Sequence, residues 1–364
     1  MKRLLYYNPN VVAKQNDPAL PGVAMFTNFF RIYNPAVVFV DRTETIKIPV
    51  HVKSLFPIPE FRKSTKSFED ICNERAIELL ARADAMGVTL YTFFSGGIDS
   101  TLVLISLLKN ATEAQKKNIV VLLSEDSIIE NPNFYREHIY GKLRVESSGM
   151  FAHLLGGKHL LVSGELNDQL FGSDMVGKFI LRFDPSVIHQ PYSRDKFATF
   201  FQEKLNDEKA TTFYLDLFER LKAAAPVPIE TNHDHLWWIN FSLKWQAVFM
   251  RMLSYASARS VAGITPEYFN TLYVPFYGTD DFQLWSLNNL DKRIKGSWNT
   301  YKWVCKDIIY DFTKDADYRD NKIKRGSLYH LIVQQPMHNF IDEQAKFYSG
   351  LKPEEYYNST NDFI

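Results

Sequence analysis

The feature that most constrains this chain is a glycine-containing hexapeptide, Ser95-Gly96-Gly97-Ile98-Asp99-Ser100. Apolar runs flank it at residues 88–94 and 101–108. This order predicts a buried strand, a tight turn and a helix. Two adjacent glycines let the backbone bend and approach an anion closely, and the following helix directs unpaired N–H groups at the turn. The hexapeptide, called the first glycine turn below, therefore predicts a phosphate-binding turn.

The aspartate in this turn adds a requirement for a cation. Asp99 would repel a bare phosphate, but with Mg²⁺ between them its carboxylate becomes a metal ligand. The turn matches neither G-x-x-x-x-G-K-[ST] nor G-x-G-x-x-G. Its pattern S-G-G-x-D-S resembles the signature of the PP-loop ATP pyrophosphatases, which cleave ATP between the α- and β-phosphates. The alternative is an ordinary Gly-Gly turn in which Asp99 caps the helix locally.

Composition limits the class of protein. The 364 residues suggest about two domains, and an apolar content of 46% allows a large core. Lys plus Arg equals Asp plus Glu at 42 each, which argues against a nucleic-acid or membrane-surface partner. No apolar run has the length of a membrane span, and no signal-peptide core is evident. Cys72 and Cys305 are the only cysteines, which excludes a cysteine-based zinc site. We expect a cytoplasmic protein.

Strand-like and helix-like patterns alternate through residues 63–175. A helix is predicted at 67–86, capped by Ser67 and ended by Gly87. Apolar runs at 118–123 and 158–162 predict two more buried strands, with a short helix at 132–140 between them. This alternation predicts an α/β fold with a parallel sheet and right-handed crossovers, and ligands bind at the carboxyl ends of such strands.

The flanking regions differ from this nucleotide-binding core. Residues 1–62 carry short β-rich runs at 36–40 and 46–52, which predict a small β-rich region; an irregular arm packed on the main domain is the alternative. Residues 176–364 are predicted to be mainly helical and to complete the active site of a PP-loop domain that spans 63–364. The helices predicted in this last part span 194–205, 209–223, 233–259, 281–290, 300–312 and 328–348.

A second glycine-containing segment narrows the resemblance. Residues 163–172, called the second glycine turn below, read Ser-Gly-Glu-Leu-Asn-Asp-Gln-Leu-Phe-Gly. They resemble S-G-E-G-S-D-E-L-F-G-G of the synthetase domain of asparagine synthetases and β-lactam synthetases, with seven of the first ten positions identical. Three weaker blocks follow in family order: residues 273–276 are similar to R-V-P-F, 301–304 to T-K-x-L and 321–326 to R-x-K-x-G.

The resemblance implies a PP-loop fold (adenine nucleotide alpha hydrolase-like, Rossmann-like) and an ATP- and Mg²⁺-dependent carbon–nitrogen ligase. Such an enzyme activates a carboxylate as an acyl-adenylate and passes it to ammonia or an amine. By this match Asp99 and Asp168 share the Mg²⁺, Lys302 and Lys324 hold the phosphates, and Glu165 is the acid–base group. The implied nucleotide contacts are Phe93, Ser95, Gly96, Gly97, Asp99, Ser100, Leu122, Ser163 and Gly164. Of these, Phe93 and Leu122 would contact adenine through their backbones.

Each of these side chains also has a purely structural interpretation. Asp168 and Glu165 lie where acids commonly cap a helix N-terminus. Lys302 and Lys324 lie in a stretch, residues 291–325, with ten Lys or Arg against six Asp or Glu. A solvated basic face would account for that stretch.

Departures from the family pattern limit the substrate assignment. Lys2 stands where glutamine-using members have a cysteine, so we expect no amidotransferase domain and a supply of free ammonia or an amine. Leu166-Asn167-Asp168-Gln169 replaces G-S-D-E, and the Val-Pro-Phe block lacks its arginine and aspartate. Aspartate, the substrate in asparagine biosynthesis, is therefore only the first candidate. The oligomeric state stays open.

Two other functions fit the same motifs. PP-loop enzymes also modify tRNA or other nucleic-acid bases, although the zero net charge argues against a nucleic-acid substrate. A catalytically degenerate member would bind nucleotide as a scaffold or regulator. Formation of AMP distinguishes the enzyme from such a scaffold.

Overall fold

The computed structural model describes residues 2–14, 39–46, 50–322 and 338–356. Its strands are β1 (Leu4–Tyr7), β2 (Leu90–Phe93), β3 (Ile119–Leu123), β4 (Arg144–Ser147), β5 (Leu160–Ser163), β6 (Tyr273–Pro275), β7 (Phe340–Asp342) and β8 (Phe347–Tyr348). Its α-helices are α1 (Pro9–Lys14), α2 (Phe68–Met86), α3 (Ile98–Asn110), α4 (Glu113–Lys117), α5 (Glu125–Glu130), α6 (Pro132–Phe134), α7 (Phe151–Leu154), α8 (Asn167–Phe171), α9 (Val176–Arg182), α10 (Arg194–Leu205), α11 (Glu208–Ala223), α12 (Asn232–Leu243), α13 (Trp245–Leu253), α14 (Tyr268–Thr271), α15 (Asp280–Asn288), α16 (Trp303–Thr313), α17 (Ala316–Asn321) and α18 (Pro353–Tyr356). A π-helix (Tyr135–Ile139) and several 3₁₀ turns complete the described elements.

A five-stranded, all-parallel sheet forms the centre of the protein. Its strand order is β4-β3-β2-β5-β6, and Leu90 of β2 lies opposite Ile119 of β3 and Leu160 of β5. Strands β2, β3 and β5 are buried along their whole length, as expected when helices cover both faces of a parallel sheet. The predicted α/β, Rossmann-like class is confirmed.

The strand order reverses direction next to β2. The chain runs from β2 to β3 and β4 on one side, and then continues with β5 and β6 on the other. A crevice forms at the carboxyl ends of strands where the order reverses, because the two crossovers leave toward opposite sides. The first glycine turn follows β2 and the second begins at the end of β5, so both lie at this point.

Local signals account for several helix boundaries. Helix α2 begins after Ser67, whose hydroxyl accepts the N–H of Asp70, and ends at Gly87, which has φ of +61°. Helices α10 and α11 end at the predicted residues, and α11 begins one residue earlier than predicted. The predicted strands at 118–123 and 158–162 correspond to β3 and β5.

Two helix predictions were wrong in part. The single helix predicted at 233–259 is two helices, α12 and α13, interrupted at Lys244, whose buried ammonium pairs with Asp174. The helix predicted at 328–348 is an antiparallel pair, β7 and β8, over its last residues; 328–337 lie outside the described residues. Asp342 accepts the N–H groups of Gln344 and Lys346 and forms the turn between the strands.

The small sheet joins the two ends of the described chain. Strand β1 pairs antiparallel with β7, and Val52 adds a single bridge to Leu4. Phe39 and Val40 are buried and lie outside the described strands; of the β-rich runs predicted at 36–40 and 46–52, residues 36–38 and 47–49 lie outside the described residues. The domain boundaries at residues 62 and 175 stay predictions. None of the helices described has both the length and the apolar character needed to cross a membrane.

Candidate active site

The first glycine turn is packed too closely for side chains at its centre. Gly96 has φ of +72°, and a Cβ there would lie 2.6 Å from the carbonyl oxygen of Ser127. The hydroxyls of Ser95 and Ser100 lie 2.8 Å apart, and Ser100 Oγ also accepts the N–H of Ser95 at 2.9 Å. These bonds tie the end of β2 to the first turn of α3. The N-terminus of α3 therefore lies at the point where the strand order reverses, called the switch point below, as the sequence predicted.

The second glycine turn contacts the first. A Cβ on Gly164 would lie 3.3 Å from the backbone nitrogen of Ser100, so the two turns meet backbone to backbone. Leu166 has φ of +82° and is buried. This left-handed conformation is the one that a glycine adopts without strain, and glycine is what the family pattern has there. The backbone here thus has the shape that a glycine in the resembling pattern would favour, although leucine stands at this position.

Three predicted site residues meet between the turns. The ammonium Nζ of Lys302 lies 2.5 Å from Asp99 Oδ1 and 2.7 Å from Asp168 Oδ1. Asn167 Nδ2 donates to Asp99 Oδ1 at 2.7 Å, and the hydroxyl of Tyr301 donates to Asp168 Oδ1 at 3.2 Å. The Lys302 side chain is 2% exposed, whereas the two carboxylates are 27% and 31% exposed. Both carboxylates therefore converge on one buried cation.

The charge of Lys302 is maintained by these carboxylates. Burial by itself would lower the pKa of Lys302, but Asp168 and Asp99 outweigh that effect and raise the pKa above its ordinary value. The backbone also positions the side chain. Lys302 has φ of +57° at the start of α16, and its N–H donates to the carbonyl of Arg293 at 3.1 Å. Lys302 is thus the buried counter-ion of both carboxylates, and the interpretation as part of a solvated face is wrong.

The donor set of Asp99 and Asp168 suits a magnesium ion that arrives with phosphate. Proteins commonly hold Mg²⁺ by one or two carboxylates, while substrate phosphates and water supply the remaining ligands. Within the described ranges, no three His, Cys, Asp or Glu side chains are grouped to hold a metal by themselves. Two convergent carboxylates that already accept one cation fit the shared-ion role that the resemblance implies.

Buried tyrosines that the sequence analysis missed hold the carbonyl groups of the first glycine turn. Tyr277 OH donates to the carbonyl of Asp99 at 2.9 Å, and Tyr318 OH donates to that of Gly96 at 3.1 Å. Burial raises the pKa of both phenols, so both remain donors. Tyr277 directly follows the Val-Pro-Phe block and Asn167 precedes Asp168. The positions of Tyr277 and Asn167 next to these motifs could have indicated from the sequence that both residues belong to the site.

Glu165 lies beside β6. It is partly exposed, and its carboxylate adds to the effect of burial in raising the pKa of the Tyr273 phenol. Tyr273 is fully buried and is the first residue of the block that resembles R-V-P-F. A carboxylate thus lies at the second glycine turn, within electrostatic range of a buried phenol.

The other predicted site residues considered are Phe93, Leu122, Ser163 and Lys324. Phe93 and Leu122 lie opposite each other near the carboxyl ends of β2 and β3, and the carbonyl of Leu122 accepts the N–H of Phe94 at 2.8 Å. Ser163 ends β5, and its carbonyl accepts the N–H of Phe276 at 2.8 Å. Lys324 lies outside the described residues.

No family model and no curated protein matches this chain.

Proposed function

We propose that this protein is an ATP- and Mg²⁺-dependent carbon–nitrogen ligase of the asparagine synthetase-like kind. It would activate a small carboxylate as an acyl-adenylate, release pyrophosphate, and transfer the acyl group to ammonia or an amine. The observation that carries the proposal is the convergence of Asp99, Asp168 and Lys302 between two contacting glycine turns. This cluster combines metal-binding carboxylates with the N-terminus of a helix at the switch point of a parallel sheet.

The chain's own groups divide the work. N–H groups at the start of α3 bind the phosphates, and Asp99 with Asp168 would hold Mg²⁺, which neutralises charge as pyrophosphate leaves. A substrate carboxylate oxygen attacks the α-phosphorus, and the bond from that phosphorus to the β-phosphate bridging oxygen breaks. The amine nitrogen then attacks the acyl carbon, and the bond from that carbon to the bridging oxygen breaks. AMP leaves with this oxygen, which came from the substrate carboxylate. Glu165 accepts the proton that the amine loses.

The charge balance favours binding of metal and nucleotide together. Two carboxylates with one ammonium leave a net charge of about −1 in the cluster. If Asp99 and Asp168 hold Mg²⁺ in place of the Lys302 ammonium, the lysine needs a new anionic partner, and the triphosphate would supply one. We therefore propose that Lys302 moves from the carboxylates to the phosphates when the Mg²⁺–ATP complex binds.

The substrate is proposed only as a class. Tyr273 replaces the family's arginine, so the match offers no arginine there to pair with a substrate carboxylate. Aspartate stays the first candidate among small acids.

We also propose a cytoplasmic location, because Cys72 and Cys305 are free and buried, and burial raises the pKa of Cys305 to about 12.

Exchange of labelled pyrophosphate into ATP tests this proposal. The purified chain is offered a panel of carboxylates, aspartate first, and nucleotide products are separated to distinguish AMP from ADP. We expect AMP, and we expect Asp99→Asn to abolish exchange while its melting temperature stays close to that of the wild type.

The matched control is Asp216→Asn, a change of the same kind at an exposed ion pair between Asp216 of α11 and Arg194 of α10. It should leave exchange unchanged. Production of ADP, or normal exchange by Asp99→Asn, would contradict the proposal. Nucleotide binding without AMP formation from any acid would indicate a scaffold.

A further inference from the structure

A second ion pair lies against the first glycine turn. Lys322 Nζ and Glu130 Oε1 are 2.6 Å apart, and their side chains are 7% and 4% exposed. A Cβ on Gly96 would lie 2.8 Å from Glu130 Cβ, and a Cβ on Gly97 would lie 3.8 Å from Glu130 Oε1. The pair is thus in contact with the turn itself. Lys322 directly follows α17, the helix whose Tyr318 holds the carbonyl of Gly96.

The position of Glu130 is unfavourable for a phosphate site unless its charge is neutralised. A nearly buried carboxylate within a few ångströms of the turn repels an incoming phosphate, because the interior screens charges weakly. Lys322 supplies the compensating charge. An ammonium has three N–H donors, so it is able to bridge a carboxylate and a phosphate at once.

A third, buried lysine lies within electrostatic range of Lys322. Lys306, one helical turn after Lys302, is buried, and its Nζ donates to the carbonyl of Asn299 at 2.8 Å. Burial lowers the pKa of Lys306; the carboxylate of Asp320 opposes this shift and the ammonium of Lys322 adds to it. Lys306 and Lys322 are therefore close enough to repel each other. An anion bound near both ammonium groups would offset that repulsion.

We propose that Lys322 is an additional contact to the pyrophosphate portion of the nucleotide, held against the first glycine turn by its pairing with Glu130. This inference rests on the proposed role of that turn as the triphosphate site. It assigns binding of the leaving group to the residue directly after α17, in addition to Lys302.

Isothermal titration of the full chain with inorganic pyrophosphate and Mg²⁺ tests the assignment. Lys322→Met should weaken binding about tenfold or more, the value of one hydrogen bond to a charged group. Glu130→Gln should tighten binding, because glutamine keeps an oxygen to hold the ammonium but removes the repelling charge. Lys109→Met is the control: it removes an exposed lysine at the far end of α3 and should leave binding unchanged.

Since Lys322→Met leaves a buried carboxylate unpaired, the double variant Glu130→Gln/Lys322→Met provides a charge-matched test of the same contact. It should melt near the wild type and bind pyrophosphate about tenfold more weakly than Glu130→Gln, which lacks the same carboxylate charge. Equal affinity of the double variant and Glu130→Gln, or equal weakening by both single variants, would overturn the assignment and leave a purely structural ion pair. Lys322-dependent pyrophosphate binding by a protein that never forms AMP would instead refute the ligase and keep the anion site.

Discussion

Replacement of Lys302 by methionine directly tests the carboxylate cluster. The two Lys302 contacts, 2.5 and 2.7 Å, keep Asp99 Oδ1 and Asp168 Oδ1 at most about 5 Å apart. Without the ammonium, two charges at that separation repel by about 3 kcal/mol at an effective dielectric constant of about 20. Their partial exposure reduces this value, and the lost charged hydrogen bonds add to it, so we expect a loss of about 2–4 kcal/mol in the free energy of unfolding.

For a chain of 364 residues, 1 kcal/mol corresponds to about 1.3 °C in melting temperature. The Lys302→Met variant should therefore melt about 3–5 °C below the wild type without added metal. Mg²⁺ alone should reverse much of this loss, since it replaces the missing cation, and at a concentration of about 100 times its Kd it contributes about 2.7 kcal/mol. The wild type, whose carboxylates are already paired, should respond far less.

Thermal unfolding followed by circular dichroism, with and without Mg²⁺ and in the absence of nucleotide, measures both effects. Lys302→Met/Asp168→Asn is the matched control: it removes one of the repelling charges and should recover stability without Mg²⁺. Equal Mg²⁺ responses in wild type and variant, or an unchanged melting temperature in Lys302→Met, would refute the reasoning that Lys302 occupies the cation position.

Two further predictions concern single side chains. Glu165→Gln should keep pyrophosphate exchange but lose most amide product, since only the second half-reaction needs a base there; parallel assays of both steps check this, and equal losses would exclude the assigned role. Burial lowers the pKa of His235 to about 3, so below the unfolded pKa of about 6.5 the unfolded state binds the extra proton and stability falls as pH falls. The loss should reach about 2 kcal/mol at pH 5. His235→Phe, in a ring cluster with Tyr192 and Phe197, should remove it in urea unfolding at pH 5 and 7.5; an unchanged pH difference would contradict the assignment.

Patterns local in the chain were sufficient for the class of fold and for the core of the candidate site. The strand, turn and helix around residues 90–110 are encoded by an apolar run, two glycines and a second apolar run, all within one short stretch. Helix α2 likewise carries its own cap residue, Ser67, and its own terminating glycine, Gly87. Such signals act between near neighbours and can be read without knowing what packs against them.

The contacts that define the cluster's charge are decided by partners far apart in sequence. Lys302 meets Asp99 and Asp168 across 203 and 134 residues, and Lys322 meets Glu130 across 192. The pairing of β7 with β1, which replaced a predicted helix, joins opposite ends of the chain. The sequence shows that a buried lysine requires an anionic partner. Only the folded backbone decides which carboxylate lies close to it, because Coulomb energy depends on distance and burial.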